Sequence, residues 1–334
     1  MSASLSWTGR RVLVTGAGGF IGSHLTECLS RLGAQAVAFC RYNSQGSAGW
    51  LARLPREARA AITVRFGDIR DQTFVEGCCE RIDTVFHLAA QVSIPYSFGS
   101  VQDVIDTNIR GTFNVLEAVR KRGCRRLVHT STSEVYGTPQ TIPITESHPL
   151  TAQSPYSASK IAADKLCESY AHTYGLPVVT LRPFNTYGPR QSTRAVIPTI
   201  LTQLLAGRQE VDLGSLDPRR DFTYVDDTVR GFLAAAATPG IEGAVVHLGT
   251  GLTVSIAELL ALCCEVTSVR AVPKAVSERM RPPHSEVWVL QSDRARARDL
   301  LGWEPLVPLR EGLAITCAWL REHLSCYDVG QRHD

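Results

Sequence analysis

From Arg11 to Arg182 the chain alternates short β-branched apolar runs with stretches in which apolar residues recur every three or four positions. The runs predict strands over Val12–Thr15, Ala36–Cys40, Ile62–Phe66, Thr84–Leu88, Leu127–Thr130 and Val178–Arg182. The helical period predicts Ile21–Leu32, with Leu25, Leu29 and Leu32 on one side, and Val101–Arg122. Strands separated by helices imply right-handed crossovers and a parallel sheet covered on both faces. The expected fold class is therefore α/β, a doubly wound parallel sheet.

After Pro183 the texture changes. Prolines at 189, 198, 218, 273, 282, 283, 305 and 308 punctuate shorter elements, with helices readable at Ile197–Ala206, Asp226–Ala237, Ile256–Val266 and Leu309–His323. A smaller mixed C-terminal lobe against the sheet is the expectation. Residues 1–182 are assigned to the sheet domain, 226–250 return to it as helix then strand, and 183–334 form mainly the second lobe.

Composition narrows the class further. With 35 Lys+Arg against 32 Asp+Glu the formal charge is +3, spread along the chain, which gives no support to nucleic-acid binding. The basic stretch Arg120–Arg126 reads as a helix C-terminus answering its dipole. Met1–Arg10 does not read as a signal peptide, and no apolar run approaches the ~18 residues that span a bilayer. The ten cysteines contain no C-x-x-C pair and read as buried thiols in a reducing cytoplasm, with no metal site.

Chemistry enters at the first turn. The first strand runs into Gly16-Ala17-Gly18-Gly19-Phe20-Ile21-Gly22, which opens a helix. Gly16 permits the tight turn, Gly19 lets the backbone approach a pyrophosphate, Gly22 allows close packing, and the helix N-terminus favours the anion. This predicts a Rossmann-type dinucleotide site. Further on, Tyr156 and Lys160 lie four apart on one helical face, so an ammonium near the phenol would lower its pKa and make Tyr156 a usable base. The fifth strand ends in Ser131-Thr132-Ser133-Glu134, at the carboxyl end where such sheets face their ligand.

Together these motifs resemble the extended short-chain dehydrogenase/reductases, the NAD(P)-dependent epimerase/dehydratase family. The acidic residue that usually follows the second strand is replaced by Cys40-Arg41-Tyr42, so Arg41 is expected to accept a 2′-phosphate and NADP is favoured, with NAD as the alternative. The resemblance implies cofactor contacts at Gly16, Gly19, Phe20, Ile21, Gly22, Asp68, Ile69, Leu88, Ala89, Ala90, Tyr156 and Lys160. It gives Thr132 the role of hydroxyl partner to the substrate. Glu134 resembles the acid of nucleotide-sugar 4,6-dehydratases that removes the sugar C5 proton. Ser133 stands where dTDP-glucose 4,6-dehydratases have an acidic Asp, so Ser-Glu is closer to GDP-mannose 4,6-dehydratases.

The resemblance extends over nearly the whole chain. Asn185 looks like the family's substrate-contacting Asn, and Arg220 and Arg281 look like the two arginines that grip the diphosphate. His284 is left without a role. The run Arg190–Pro198 with Tyr42-Asn43-Ser44 is most similar to the UDP-N-acetylglucosamine 4,6-dehydratases. The implied partner is a nucleotide sugar, and a homodimer is implied through helices such as Val101–Arg122 and Tyr156–Tyr174. UDP-glucuronate decarboxylases share Ser-Thr-Ser-Glu but usually carry Glu-Gly where this chain has Ala158-Ser159. Decarboxylase, 4-epimerase and a non-catalytic NADP-binding regulator are the competing readings.

Overall fold

A computed structural model describes residues 6–280 and 285–329. Six strands fill the first part of the chain: β1 (Arg11–Thr15), β2 (Gln35–Arg41), β3 (Ile62–Gly67), β4 (Thr84–His87), β5 (Arg126–Thr130) and β6 (Val178–Pro183). Shorter ones follow: β7 (Asn185–Tyr187), β8 (Glu210–Leu213), β9 (Arg219–Arg220), β10 (Phe222–Tyr224), β11 (Val245–Leu248), β12 (Val254–Ser255), β13 (Val272–Ala275) and β14 (Val289–Leu290). The main sheet has the order β11-β6-β5-β4-β1-β2-β3, and its neighbours pair in parallel.

The strands are apolar runs because both faces are covered. Every residue of β4 and β6 is buried. Along β1, Val12 and Val14 enter one apolar layer with Leu25, Leu29, Phe86 and Phe232, while Leu13 enters the other with Val85, Leu116, Leu127 and Cys167. The strand order reverses between β1 and β4, which opens a crevice above their carboxyl ends.

The helices follow the sequence period with one departure. Val101–Arg122 is continuous, but Ile105–Arg110 forms a π-type turn between α-helical halves. It ends at Gly123 in the left-handed conformation (φ 66°), with Arg120, Lys121 and Arg122 in its last turn. Two of these cations also reach Glu76, at 3.3 Å from Lys121 and 3.0 Å from Arg122.

A third apolar cluster, with Tyr187, Ile200, Leu213, Tyr224, Leu259 and Leu313, builds the other lobe around short strand pairs. Its helix Ile256–Thr267 starts on a capping box of Ser255 and Glu258. The lobe is tied to the first helix by Arg190, whose φ of 70° turns its guanidinium onto the buried Glu27 at 2.6 Å. The His24 ring is hydrogen-bonded to the Pro189 carbonyl (2.9 Å), and burial beside Arg190 lowers its pKa to about 4. All ten cysteines are free thiols. Among the described residues no helix is long and apolar enough to cross a membrane, and no group of His, Cys, Asp or Glu could hold a metal.

Candidate active site

The crevice above β1 and β4 measures about 680 Å³. Its floor is bare backbone. Gly16 has φ 71°, and a Cβ there would meet Leu88 C and Ala89 N at 2.9 Å. A Cβ at Gly18 would meet the Ala48 carbonyl at 2.6 Å, and one at Gly22 the Gly16 carbonyl at 2.2 Å. Gly22 therefore serves the turn itself more than helix–strand packing. Helix Phe20–Arg31 starts at Gly19 with no side-chain cap and no acid in its first turn, so its leading amides are left to a ligand.

Of the residues singled out from sequence, Gly16, Gly19, Phe20, Ile21, Gly22, Arg41, Asp68, Ile69, Leu88, Ala89, Ala90, Thr132 and Tyr156 line this crevice. Arg41 is exposed at its rim. Asp68 is held by Arg70, Nε to Oδ1 at 2.9 Å and Nη2 to Oδ2 at 2.5 Å, and this bond lowers its pKa. The amides of Leu88 and Ala89 donate to Thr15 Oγ1, each at 3.1 Å, which fixes the wall beside the switch point.

Helix Pro155–Tyr174 delivers the Tyr–Lys pair. Ser154 accepts from the Ser157 amide (3.1 Å), Ser157 Oγ accepts from the Ser154 amide (3.0 Å), and Pro155 occupies the first turn. Tyr156 and Lys160 are both buried. One expectation is corrected here. The Tyr156 phenol is not lowered but raised, first by burial and then by the charges of Glu134 and Asp164, with Thr132 opposing. The reason is geometric: Lys160 Nζ donates to the Thr130 carbonyl at 2.6 Å, and burial, partly offset by Asp164, lowers its own pKa.

The turn after β5 is folded by its own side chain. Thr132 Oγ1 accepts from the Glu134 amide at 3.2 Å and caps the single turn Ser133–Tyr136. Ser133 is buried behind the crevice wall, while Glu134 is half-buried and its charge is felt by Tyr156. Neither they nor Lys160 are among the crevice walls. Asn185 and Arg220 also stand apart from them. Asn185 Nδ2 donates to the Asp221 carbonyl (3.3 Å), and Arg220 Nη2 pairs with Glu286 at 3.1 Å. Arg281 and His284 lie outside the described residues.

Sequence reasoning missed several supporting groups. Asn108, on the π-type turn, exchanges bonds with Gln91 (amide to Oδ1 2.8 Å, Nδ2 to carbonyl 3.0 Å) and donates to Ser159 Oγ at 2.9 Å. It thereby pins the loop after β4 to the Tyr156 helix. Nothing in the residue pattern around Asn108 signals this. Asp164 had a signal, since it extends the Tyr156–Lys160 spacing by one more turn.

The comparisons agree with this architecture. The family described as GDP-mannose 4,6 dehydratase matches residues 13–316. A dTDP-glucose 4,6-dehydratase of Actinoplanes is 35% identical over 320 residues, covering 94% of this chain and 99% of that protein. A UDP-glucose 4-epimerase of Mycolicibacterium smegmatis is 34% identical, covering 93% and 98%. The solved structure of DesIV, a dTDP-glucose 4,6-dehydratase of Streptomyces venezuelae with NAD bound, superposes with a TM-score of 0.85 at 30% identity, over 95% of this chain and 99% of that one. With matches of this span and identity, the chain belongs to the nucleotide-sugar 4,6-dehydratase/epimerase family of extended short-chain dehydrogenase/reductases, NAD(P)-dependent enzymes.

Proposed function

We propose that the protein is a nucleotide-sugar 4,6-dehydratase acting on UDP-N-acetylglucosamine or a related nucleotide hexose, yielding a 4-keto-6-deoxy sugar. The observation that carries this reading is Glu134: a carboxylate in the turn after β5, close enough to Tyr156 for its charge to bear on the phenol.

The crevice fits a dinucleotide. Three positions where a Cβ would strike backbone within 3 Å, plus an uncapped helix N-terminus, leave room and donors for a pyrophosphate. Gly16, Gly19 and Gly22 would hold it, with Phe20 and Ile21 supplying amides. Asp68 and Ile69 would lie at its adenine end and Leu88-Ala89-Ala90 along its wall. When bound, the nicotinamide supplies a reversible hydride acceptor at the sugar C4. Thr132 would position the C4 hydroxyl and Tyr156 would take its proton, with the Thr132 hydroxyl favouring the phenolate and Lys160, held by the Thr130 carbonyl, keeping a positive charge one helical turn behind it. The resulting ketone would acidify C5–H, which Glu134 would remove as the C6 hydroxyl departs with a proton from Glu134 or a water; return of the C4 hydride to C6, with a proton to C5, would complete the 6-deoxy product and leave the cofactor unchanged. Asn185, Arg220 and Arg281 would hold the substrate, Arg220 exchanging Glu286 for the diphosphate.

At the rim, Arg41 stands at the end of β2 where no acidic residue follows, and this favours NADP, although its charge also reaches Asp68 and Asp103. Arg41→Ala is expected to weaken NADP about tenfold or more while leaving NAD nearly unchanged, the loss of one charge-assisted phosphate contact. Binding titrations with both dinucleotides check this, and an equal effect on both removes Arg41 from the site.

Exposed Phe98, Val101, Ile105 and Phe113 mark helices that suit a homodimer contact, and ten free thiols suit a reducing cytoplasm. The decisive experiment is mass spectrometry after incubation with UDP-, GDP- and dTDP-hexoses. Loss of water from UDP-N-acetylglucosamine supports the proposal. Loss of water only from dTDP-glucose corrects the substrate. An unchanged mass with inverted C4 would make it an epimerase, and release of carbon dioxide from UDP-glucuronate a decarboxylase.

A further inference from the structure

We propose that Asp164 is a positioning residue of the active site, the counter-charge that balances Arg182 and so keeps the Lys160 ammonium in place behind Tyr156. The proposal rests on the dehydratase reading only in that Tyr156 is taken as the base.

Tyr156, Lys160 and Asp164 follow at four-residue intervals on one face of helix Pro155–Tyr174. Tyr156 lines the crevice, while Lys160 and Asp164 lie behind it, the ammonium on the Thr130 carbonyl. Asp164 is 4% exposed, and three elements meet on its carboxylate. From β5, the His129 ring is hydrogen-bonded to Oδ1 at 3.2 Å. Ser131 Oγ, just beyond that strand, donates to Oδ2 at 2.8 Å. From β6, Arg182 donates to the same oxygen through Nε at 3.0 Å and Nη2 at 2.9 Å. Arg182 is itself buried and donates through Nη1 to the Tyr136 hydroxyl at 2.6 Å. Asp164 therefore ties the Tyr–Lys helix to β5, whose end carries Thr132 and Glu134, and to β6, which leads to Asn185.

The charges around Lys160 can be counted. On its own helix are Asp164 and Cys167, whose thiol burial raises well above its usual range. From β4 comes His87 and from β5 His129, both depressed by burial and therefore neutral at working pH. Tyr156 stands one turn away, with Glu134 beyond it, and Arg182 faces the cluster from β6. The buried ions in the working range are thus Lys160, Asp164 and Arg182. A guanidinium does not give up its proton in a protein, so Arg182 and Lys160 share the one Asp164 carboxylate, and without it the burial that depresses Lys160 is no longer opposed by that charge. Lys160 already has a depressed pKa, and Asp164 is what opposes the depression. An ordinary structural ion pair would hold β6 to the helix without affecting the charge of Lys160.

The sign follows. Turnover that needs a protonated Lys160 is lost on the alkaline side as the ammonium deprotonates. Asp164→Asn lowers that pKa further, so the alkaline limb of kcat is expected to move down by about one pH unit or more. KM for the nucleotide sugar should change less than about twofold, because no substrate contact is removed. Arg182→Met leaves Asp164 facing Lys160 alone and should move the limb up. The double variant should return it toward the wild-type position. These profiles are to be recorded on the full-length enzyme, with thermal melting to verify folding. If Asp164→Asn does not fold, Arg182→Met carries the test alone.

A wild-type limb in either folded single variant overturns the assignment of Asp164. So does a double variant whose limb lies further from wild type than that of both singles. Tyr156→Phe is run in parallel. If it turns over normally, the reading of Tyr156 as base has failed. If it is inactive while Asp164→Asn keeps the wild-type limb, only the role of Asp164 has failed.

Discussion

Tyr156→Phe is expected to lower turnover by roughly 10²–10⁴-fold, the range spanned by loss of a positioned acid–base group. The substitution removes one oxygen from a ring that is 7% exposed, so packing and melting temperature should hardly move. Dinucleotide binding should persist, because the proposed pyrophosphate cradle, Gly16–Gly22, lies on a different element. Equilibrium binding with single-turnover kinetics separates the two effects. Loss of cofactor binding in parallel with turnover would give Tyr156 a structural role in the crevice and remove it as base. The raised phenol pKa makes the expectation sharper. Burial dominates and Thr132 opposes it; on the proposed reading the Lys160 charge one turn away is needed as well, so Lys160→Met should reproduce much of the defect.

Glu134→Gln is expected to cost about 10²–10³-fold in formation of the 4-keto-6-deoxy product. The amide keeps the size of the side chain and leaves the Thr132-capped backbone turn intact, but it cannot accept the C5 proton. On the proposed reading, oxidation at C4 needs Tyr156 and not Glu134, so it should continue until reduced nicotinamide accumulates in stoichiometric amount. Exchange of C5 hydrogen with heavy water, followed by NMR, should fall with product formation. Full exchange and full product in this variant would remove Glu134 as the base, and with it the main support for dehydration over epimerisation.

The strands were legible because a sheet covered on both faces demands unbroken apolar runs; β4 and β6 are buried at every position. The glycine turn was legible for the same kind of reason, since few residue types fit its backbone contacts. Two-residue strands such as β9, β12 and β14 are too short to show a period, and they form only where tertiary contacts bring them together. Tyr156 and Lys160 could be read from their spacing, yet the state of the phenol could not. Its pKa is set by burial and by Glu134 and Asp164, one of them on a different element. Arg220 shows the limit most plainly: its motif suggested an arginine for the diphosphate, and the fold pairs it with Glu286, 66 positions later.

The π-type turn at Ile105–Arg110 has a structural consequence for chain length. It holds one more residue than a regular helical turn, and each residue of an α-helix advances the face by ~100°. Asn108 can therefore look inward to Gln91 and Ser159 while Val101, Ile105 and Phe113 look outward from the same rod. Because the wide turn absorbs that extra residue, deleting one amino acid there would leave the two halves in phase, whereas deleting one from a regular stretch of the same rod would rotate one half against the other by about a quarter of a revolution and set the inner clasp against the outer oily ridge.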